Sequence, residues 1–232
     1  MKKQNKVSDK NTTNNTSKET IIIIHGLNAG RDNHRIKYYG KLEKELSKTY
    51  DVLFFSWNRE RTTAELGDDL RAFIAENKVK KAHFICHSFG AVVFRVFYQK
   101  PNCRIGKVIF IAPLANGSKV LEYSFRKFHL ISREKLGICC EDLLKKKKTI
   151  FKLPLPKGIL VVAGKKNFAP EKPESYILLF SPDVSFKDFD GKVYLKETDT
   201  PYMKERFLVD EYHDYLANNE KVIRKINSFL KE

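Results

Sequence analysis

The chain of 232 residues is long enough to bury the core of one domain, and its 42% hydrophobic and 12% aromatic content is ordinary for a globular protein. No apolar run approaches the ~18 residues of a membrane span, and no apolar segment follows the basic N-terminus as in a secretory signal. The net charge of +16 could attract nucleic acid or an anionic membrane surface, but charge alone specifies no partner, so solubility is the simpler interpretation.

The first 20 residues are rich in Lys, Asn, Thr and Ser, which predicts a flexible basic tail before a domain over residues 21–232. The cysteines are Cys86, Cys103, Cys139 and Cys140. They lack the spacing of a zinc site, and the adjacent pair would form a strained bridge. Since no secretory signal is expected either, we expect reduced thiols and a cytoplasmic location.

Six short β-branched or aromatic runs, each bounded by turn residues or charges, predict buried strands. They are residues 21–24, 52–57, 82–86, 107–111, 158–163 and 206–209. Helical spacing separates them, for example at Tyr38, Leu42 and Leu46, and a last helix is expected over residues 214–230. This alternation predicts an α/β fold with a minimal, mostly parallel sheet of about six strands and helices on both faces.

A long stretch at about residues 114–157 interrupts this alternation. It is helical in places, carries a lysine run at residues 145–148, and ends in Pro154 and Pro156. Because it follows the C-terminal end of a strand, where α/β sheets bind ligands, such an insertion could shape a substrate pocket. The alternative is one crossover helix followed by a solvated basic loop. The lysine run itself indicates a solvated face rather than a specific site.

The strongest local motif lies at residues 86–91, which read CHSFGA. It stands between the strand at 82–86 and a helical run at 91–98, the strand–turn–helix context of a nucleophile elbow. The elbow would project the Ser88 hydroxyl above the sheet and direct helix N-terminal amides at a developing oxyanion. In the usual G-x-S-x-G motif the first residue is glycine; Cys86 stands there and is small enough to pack against the turn. We predict that Ser88 is a nucleophile.

A second motif is the buried strand at 21–24 that runs into His25, Gly26 and Leu27. In a hydrolase with a nucleophile elbow, the backbone N–H that follows such a glycine supplies one oxyanion donor, and the N–H after the nucleophile supplies the other. The amides of Leu27 and Phe89 are therefore predicted to form the oxyanion hole. We expect His25 to be a structural histidine that ties down the loop.

The base and the acid should follow the nucleophile in the order Ser, acid, His. His213 fits the base, since it lies between the last predicted strand and the last helix. The acid remains open on the residues alone. Asn167 follows the fifth strand but carries no charge, and Asp183, Asp188 and Asp190 come after it, each of them also a common turn former. Asp190 is the best placed, because a glycine turn and a short extended run follow it.

Together these motifs resemble the small bacterial lipase/esterase-like α/β hydrolases of the serine hydrolase superfamily, from Ile21 to the C-terminus. The similar segments are the strand-His-Gly-Leu opening, APLANGS at 112–118, FDGKV at 189–193, and Tyr-His at 212–213 with the helix that follows. FDGKV resembles the family's N-D-G-x-V acid loop, with Phe189 in place of the usual Asn, and this resemblance assigns the acid to Asp190. It also implies an α/β-hydrolase fold and an acyl-enzyme mechanism that needs no metal or cofactor.

The residues and the resemblance predict a serine hydrolase that cleaves a carboxylic ester, as an esterase, a lipase-like enzyme or a thioesterase, with the triad Ser88, His213 and Asp190. Two alternatives stay open: an acyltransferase with the same triad, and a degenerate hydrolase that serves as a basic binding module. We expect a small-molecule or lipid acyl ester as substrate, at most weak contact with an anionic membrane surface, and no specific nucleic acid partner.

Overall fold

The computed structural model describes residues 18–27, 32–169 and 187–232, and within them it contains a six-stranded sheet in which every neighbouring pair is parallel. The strands are β1 (Thr20–Ile24), β2 (Asp51–Phe55), β3 (Lys81–His87), β4 (Arg104–Ile111), β5 (Ile159–Gly164) and β6 (Met203–Val209). All six predicted strands are present, with their ends shifted by at most three residues. Residues 1–17 of the predicted tail lie outside the described residues. Strand β1 begins at Thr20, one residue inside the segment that the sequence predicts as tail.

The strand order is β2-β1-β3-β4-β5-β6. The chain runs from β1 outward to β2 and then crosses back to β3, so the order reverses between β1 and β3. In open parallel sheets, ligands bind outside the carboxyl ends of the strands at such a reversal. Ile24 at the end of β1 pairs with Cys86 near the end of β3. The loop with Leu27 and the turn with Ser88 therefore emerge side by side at this point.

Helices cover both faces of the sheet, as predicted. They are α1 (Asp32–Leu46), α2 (Thr63–Glu76), α3 (Gly90–Phe97), α4 (Lys119–Lys127), α5 (His129–Leu136), α6 (Ile138–Ile150) and α7 (Glu220–Lys231). One core cluster joins α2, α3 and α6 to one face, and a second joins α1 and α7 to the other. Along β1, Ile22 points into the first cluster and Ile23 into the second, because successive side chains of a strand face opposite ways.

The buried stripe of α1 differs from the predicted one by a single position. Leu42 and Leu46 are buried as expected, but Tyr39 joins them, whereas Tyr38 is only half-buried. Positions 39, 42 and 46 share one face of a helix of 3.6 residues per turn as well as the predicted set does. The shift matters because it carries the Tyr39 hydroxyl toward the carboxyl ends of β1 and β3.

The continuous last helix that we predicted over residues 214–230 is divided in two. A 3-10 helix covers His213–Asn218, and α7 begins only at Glu220. Asn219 separates them, because its side-chain oxygen accepts hydrogen bonds from the backbone N–H groups of Lys221 (2.9 Å) and Val222 (3.4 Å). A capping asparagine thus starts a new helix where apolar spacing alone predicted a continuous one.

Three helices, α4 to α6, fill the insertion between β4 and β5, and we call them the cap (residues 119–150). The lysine run lies within α6 rather than in a loop, and three of its members pair with carboxylates. The pairs are Lys145 with Glu141, Lys146 with Asp142, and Lys147 with Glu122. The run is thus a solvated helix face. No helix of the described ranges combines the length and the apolar character that a membrane span requires.

Candidate active site

The Ser88 turn is held by its backbone. Ser88 has a φ of +54°, in the left-handed region that a residue with a side chain rarely adopts. Its N–H donates to the Ile111 carbonyl at the end of β4 (2.9 Å), and its carbonyl accepts from the Ala91 N–H (3.1 Å). A Cβ on Gly90 would lie 2.4 Å from the Ile24 carbonyl oxygen, so only glycine lets α3 cross β1 this closely. These contacts fix the turn expected of a nucleophile elbow.

The Leu27 amide lies beside this turn, and the Phe89 amide belongs to it. Gly26 passes directly against Ser88, because a Cβ on Gly26 would lie 3.0 Å from the Ser88 Cβ. In the part of the chain that the structure describes, neither the Leu27 N–H nor the Phe89 N–H has a hydrogen-bond acceptor. Phe89 is fully buried, and buried backbone donors are rarely left unpaired. Two such donors beside one hydroxyl can stabilise an oxygen that gains negative charge.

His25 fixes the direction of the Leu27 amide. Its Nδ1 donates to the Gly26 carbonyl oxygen (2.5 Å), its Nε2 accepts from the Trp57 N–H (3.3 Å), and its ring stacks between Phe54 and Trp57. Burial lowers the pKa of His25 to about 4, so the neutral ring has one donor and one acceptor, as these bonds require. The Gly26 carbonyl and the Leu27 N–H belong to one trans peptide unit and point in opposite directions. By holding the carbonyl, His25 orients the amide, and the prediction that it ties down this loop is confirmed.

Tyr39 and His87 hold the other side of Gly26. The Gly26 N–H donates to the Tyr39 hydroxyl (3.2 Å), which in turn donates to the Nδ1 of His87 (2.6 Å). Burial, and then the charge of His213, lower the pKa of His87 well below its ordinary value, so the ring stays neutral and its Nδ1 can accept. Neither residue is predicted from the sequence. No local motif joins two side chains that are 48 positions apart.

Asp190 and His213 form a buried pair. The Nδ1 of His213 lies 2.8 Å from the Oδ2 of Asp190, and the two side chains are only 3% and 2% exposed. The Oδ1 of Asp190 accepts from the backbone N–H groups of Lys192 (3.0 Å) and Val193 (2.7 Å). The His213 N–H also donates to the Asp190 carbonyl (2.9 Å). Hydrogen bonds on both carboxylate oxygens offset the cost of burying its charge.

Two further contacts lock the Asp190 loop onto the His213 loop. Gly191 has a φ of +95°, and a Cβ there would lie 2.0 Å from the Tyr212 ring, so glycine alone leaves room for that ring. Beside them the Lys192 ammonium pairs with the Asp214 carboxylate at 2.8 Å. The glycine that follows Asp190 therefore serves packing as well as the turn that the sequence predicts.

The Asp190 loop is also joined to the cap. Phe189 is buried, its ring lies 4.7 Å from that of Tyr194, and both pack against Val120 of α4. Glu197 accepts from the Lys119 N–H (2.6 Å) and the Tyr194 N–H (2.9 Å), and burial raises the pKa of its carboxyl. Phe189 is thus part of a contact between the Asp190 loop and the cap.

The structure brings most of the predicted site residues to one end of the sheet. The His213 ring lies 4.9 Å from the ring of His87, the residue that precedes Ser88. Of the other acid candidates, Asp188 is exposed two residues before Asp190, and Asp183 lies outside the described residues. A hydroxyl, an imidazole held by a carboxylate, and two unpaired amides are the groups that nucleophilic acyl chemistry requires.

No group of three His, Cys, Asp or Glu side chains in the described ranges could hold a metal ion.

Comparison with known sequences gives one family. The family model described as serine hydrolase matches residues 21–151, which is more than half of the 232 residues. The match includes the strand before Leu27 and the Ser88 turn, and it ends before Asp190 and His213. No protein among the curated sequences matches this chain.

Solved structures resemble the chain over nearly its whole length. The lipase BlEst2 of Bacillus licheniformis in its mature form has 16% identity and a TM-score of 0.69, with 92% of this chain and 93% of the lipase covered. The 2-hydroxy-6-oxo-6-phenylhexa-2,4-dienoate hydrolase of a Rhodococcus species has 12% identity and a TM-score of 0.59, covering 93% and 91%. A lipase-esterase related protein of Clostridium acetobutylicum has 14% identity and a TM-score of 0.53, covering 92% and 95%. At these identities the similarity establishes the α/β-hydrolase fold.

Proposed function

The chain belongs to the serine hydrolase family, and we propose that it hydrolyses a carboxylic ester with Ser88 as nucleophile, His213 as base and Asp190 as the acid. One observation carries the proposal. The buried hydrogen bond of 2.8 Å between His213 and Asp190 is made at the end of the sheet where the Ser88 turn lies. An imidazole whose Nδ1–H is held by a carboxylate keeps its Nε2 lone pair for the hydroxyl proton.

In the proposed mechanism, the Nε2 of His213 takes the proton of Ser88 as the Ser88 oxygen attacks the ester carbonyl. Asp190 stabilises the imidazolium that forms. The amides of Leu27 and Phe89 donate to the oxyanion of the tetrahedral intermediate, and one such donor is typically worth about 10²–10³ in rate. His213 then protonates the leaving alcohol or thiol, and an acyl-enzyme remains. Water, deprotonated by His213, releases the acid and restores Ser88.

The surroundings of the two amides support an apolar acyl group. Leu27 and Trp57 are partly buried and pack against the cluster that contains Phe89, and the Trp57 and Phe89 rings lie 5.4 Å apart. Binding pockets for small molecules are mostly apolar, with a few converging polar groups. We propose a small-molecule or lipid acyl ester as the substrate class, and weak contact with an anionic membrane surface as an accompanying property.

Hydrolysis of p-nitrophenyl esters from acetate to laurate tests the proposal. We expect Ser88→Ala to lose about 10⁴-fold or more in kcat/KM on every ester that the wild type cleaves. Ser132→Ala is the control, because Ser132 is another buried serine whose hydroxyl donates to a backbone carbonyl, at 2.8 Å. It should stay within about twofold of wild type. Turnover by Ser88→Ala comparable to wild type would contradict the proposal.

Product analysis with an added alcohol separates hydrolysis from acyl transfer. An acyl-enzyme can pass its acyl group to water or to another acceptor, and exclusion of water from the site decides between them. We expect the free acid as the main product. A transferred ester as the main product would identify an acyltransferase with the same triad.

A further inference from the structure

Six consecutive residues at the junction of α4 and α5 are exposed, and half of them are large and apolar. This run, residues 126–131, reads RKFHLI. Phe128, Leu130 and Ile131 are 49%, 81% and 59% exposed. Among the described residues only Ile36 and Leu208 are also large, apolar and exposed, and each of them is isolated in the sequence. Single exposed apolar residues are ordinary, whereas a cluster marks a surface that contacts something.

The fold holds this run outward. Leu121 and Phe125 of α4 are buried in the core cluster that contains Phe89, and Ser132 of α5 is buried with its hydroxyl bonded to the Ser124 carbonyl at 2.8 Å. The Ser132 N–H also donates to the Phe128 carbonyl at 2.7 Å. Because the inward face of both helices is already occupied, the apolar side chains of the run cannot turn inward without unpacking the cap.

The charges beside the run are mostly positive. Arg126 and Lys127 belong to it, and Lys135 follows on α5 next to Glu134, whereas Arg133 is paired with Glu60 (3.1 Å) and Glu141 (3.0 Å). This local excess belongs to a chain whose net charge is +16. Basic side chains near a bilayer with anionic lipids are attracted to it over about one Debye length, ~10 Å at 0.1 M salt.

We propose that residues 126–131 dock the cap onto an anionic lipid surface. Phe128, Leu130 and Ile131 enter the boundary between headgroups and acyl chains, while Lys127 pairs with a lipid phosphate. Apolar side chains on one face with cations beside them are the pattern of segments that lie in a membrane interface. The run forms a projecting junction between two helices rather than a groove, which suits a lipid surface better than a peptide.

Docking there would bring the candidate active site to the lipid. Leu121 and Phe125 of the cap belong to the same core cluster as Phe89, and just before the cap the Leu114 N–H donates to the Ser88 carbonyl at 3.4 Å. This consequence for catalysis rests on the proposed ester hydrolysis. The binding itself does not, so the two can fail separately.

Sedimentation of the full chain with vesicles tests the docking. The vesicles are phosphatidylcholine, either pure or with about a quarter of phosphatidylglycerol. We expect wild type to bind the anionic vesicles more strongly than the neutral ones. The double variant Leu130→Ser, Ile131→Ser should bind the anionic vesicles at least about tenfold more weakly, because two apolar side chains no longer leave water. Ile36→Ser removes an isoleucine of α1 that is 70% exposed, between the values of Ile131 and Leu130, and should bind like wild type.

The same variants are assayed on a soluble short-chain ester, where all three proteins should be equally active whether or not they bind vesicles. Anionic vesicle binding that is equal in wild type and double variant would overturn the proposal, because charge alone would then explain it. Absence of wild-type binding would overturn it as well. Self-association that the double variant abolishes, without vesicle binding, would instead assign the run to a contact between copies of the chain.

Discussion

The two halves of the candidate active site are built in different ways. In the nucleophile half, Ser88 and the amides of Leu27 and Phe89 lie in turns directly after two adjacent strands, β1 and β3. In the acid–base half, Asp190 comes from an irregular loop before β6 and His213 from the first residue of the 3-10 helix after it, and hydrogen bonds join them across 23 positions. The matching family model covers the first half and ends before the second.

This difference shows what a short motif can specify. A turn between a parallel strand and a helix imposes a positive φ at Ser88 and a glycine at position 90, and few residue combinations satisfy both. The acid–base pair requires only that two segments pack together with a carboxylate and an imidazole within hydrogen-bonding distance. Packing supplies that meeting, through the Tyr212 ring on Gly191 and the Lys192–Asp214 ion pair. Many sequences can achieve the same contact.

The largest loss of activity is expected when the charge of Asp190 is removed, because this disables the acid–base half. Asp190→Asn keeps the size of the side chain but favours the wrong tautomer of His213, so we expect kcat to fall by about 10⁴-fold, with Ser88 still in place. The measurement is steady-state kinetics on the best p-nitrophenyl ester.

Asp188→Asn is the matched control, since Asp188 is exposed two residues away and asparagine tolerates its φ of +53°. It should retain wild-type activity. If Asp188→Asn or Asp183→Asn lost activity while Asp190→Asn kept it, the acid would have to be reassigned.

Acidification should lower the stability of the protein through His25, the residue that supports the Leu27 amide in the nucleophile half. The folded protein resists protonating this ring until about pH 4, whereas the unfolded chain binds the proton near the ordinary value of 6.5. Between these values the unfolded state holds more protons, so stability falls as the pH falls. From about pH 7 to pH 4 the free energy of unfolding should drop by about 3 kcal/mol on account of His25.

Urea unfolding of wild type and His25→Asn at both pH values measures this contribution. The variant should be less stable at neutral pH and lose less stability on acidification. Parallel losses in the two proteins would show that His25 is not the group responsible.

The smallest loss of activity is expected when one of the hydrogen bonds that hold the Leu27 loop is removed. Tyr39→Phe leaves the Gly26 N–H and the His87 Nδ1 without their shared hydroxyl, so the loop is held by His25 alone. We expect kcat to fall by about tenfold and KM to change by less than about twofold, because the amide acts chiefly on the transition state. Tyr50→Phe, a buried tyrosine that lies against His83, is the control. Equal losses in the two variants would reduce the role of Tyr39 to general packing.

The strands and the Ser88 turn are the features that could be predicted from the sequence. The six strands were predicted because parallel strands buried on both faces read as continuous apolar runs. The Ser88 turn was predicted because its geometry restricts the residues. Tyr39 could not be found this way, since a helix stripe at positions 38, 42 and 46 is as regular as one at 39, 42 and 46. The break at Asn219 was missed because a local cap overrode apolar spacing. The contacts of His87 are tertiary and have no local sequence signal.

The central claim, that Ser88 is the nucleophile, is tested most directly by labelling with a fluorophosphonate and mapping the modified peptide by mass spectrometry. Fluorophosphonates react with a serine hydroxyl that a neighbouring base activates. We predict one adduct on wild type, located at Ser88, a much slower reaction in Asp190→Asn, and no adduct in Ser88→Ala. Labelling that persists in Ser88→Ala, or an adduct located at another residue of the wild type, would contradict the claim.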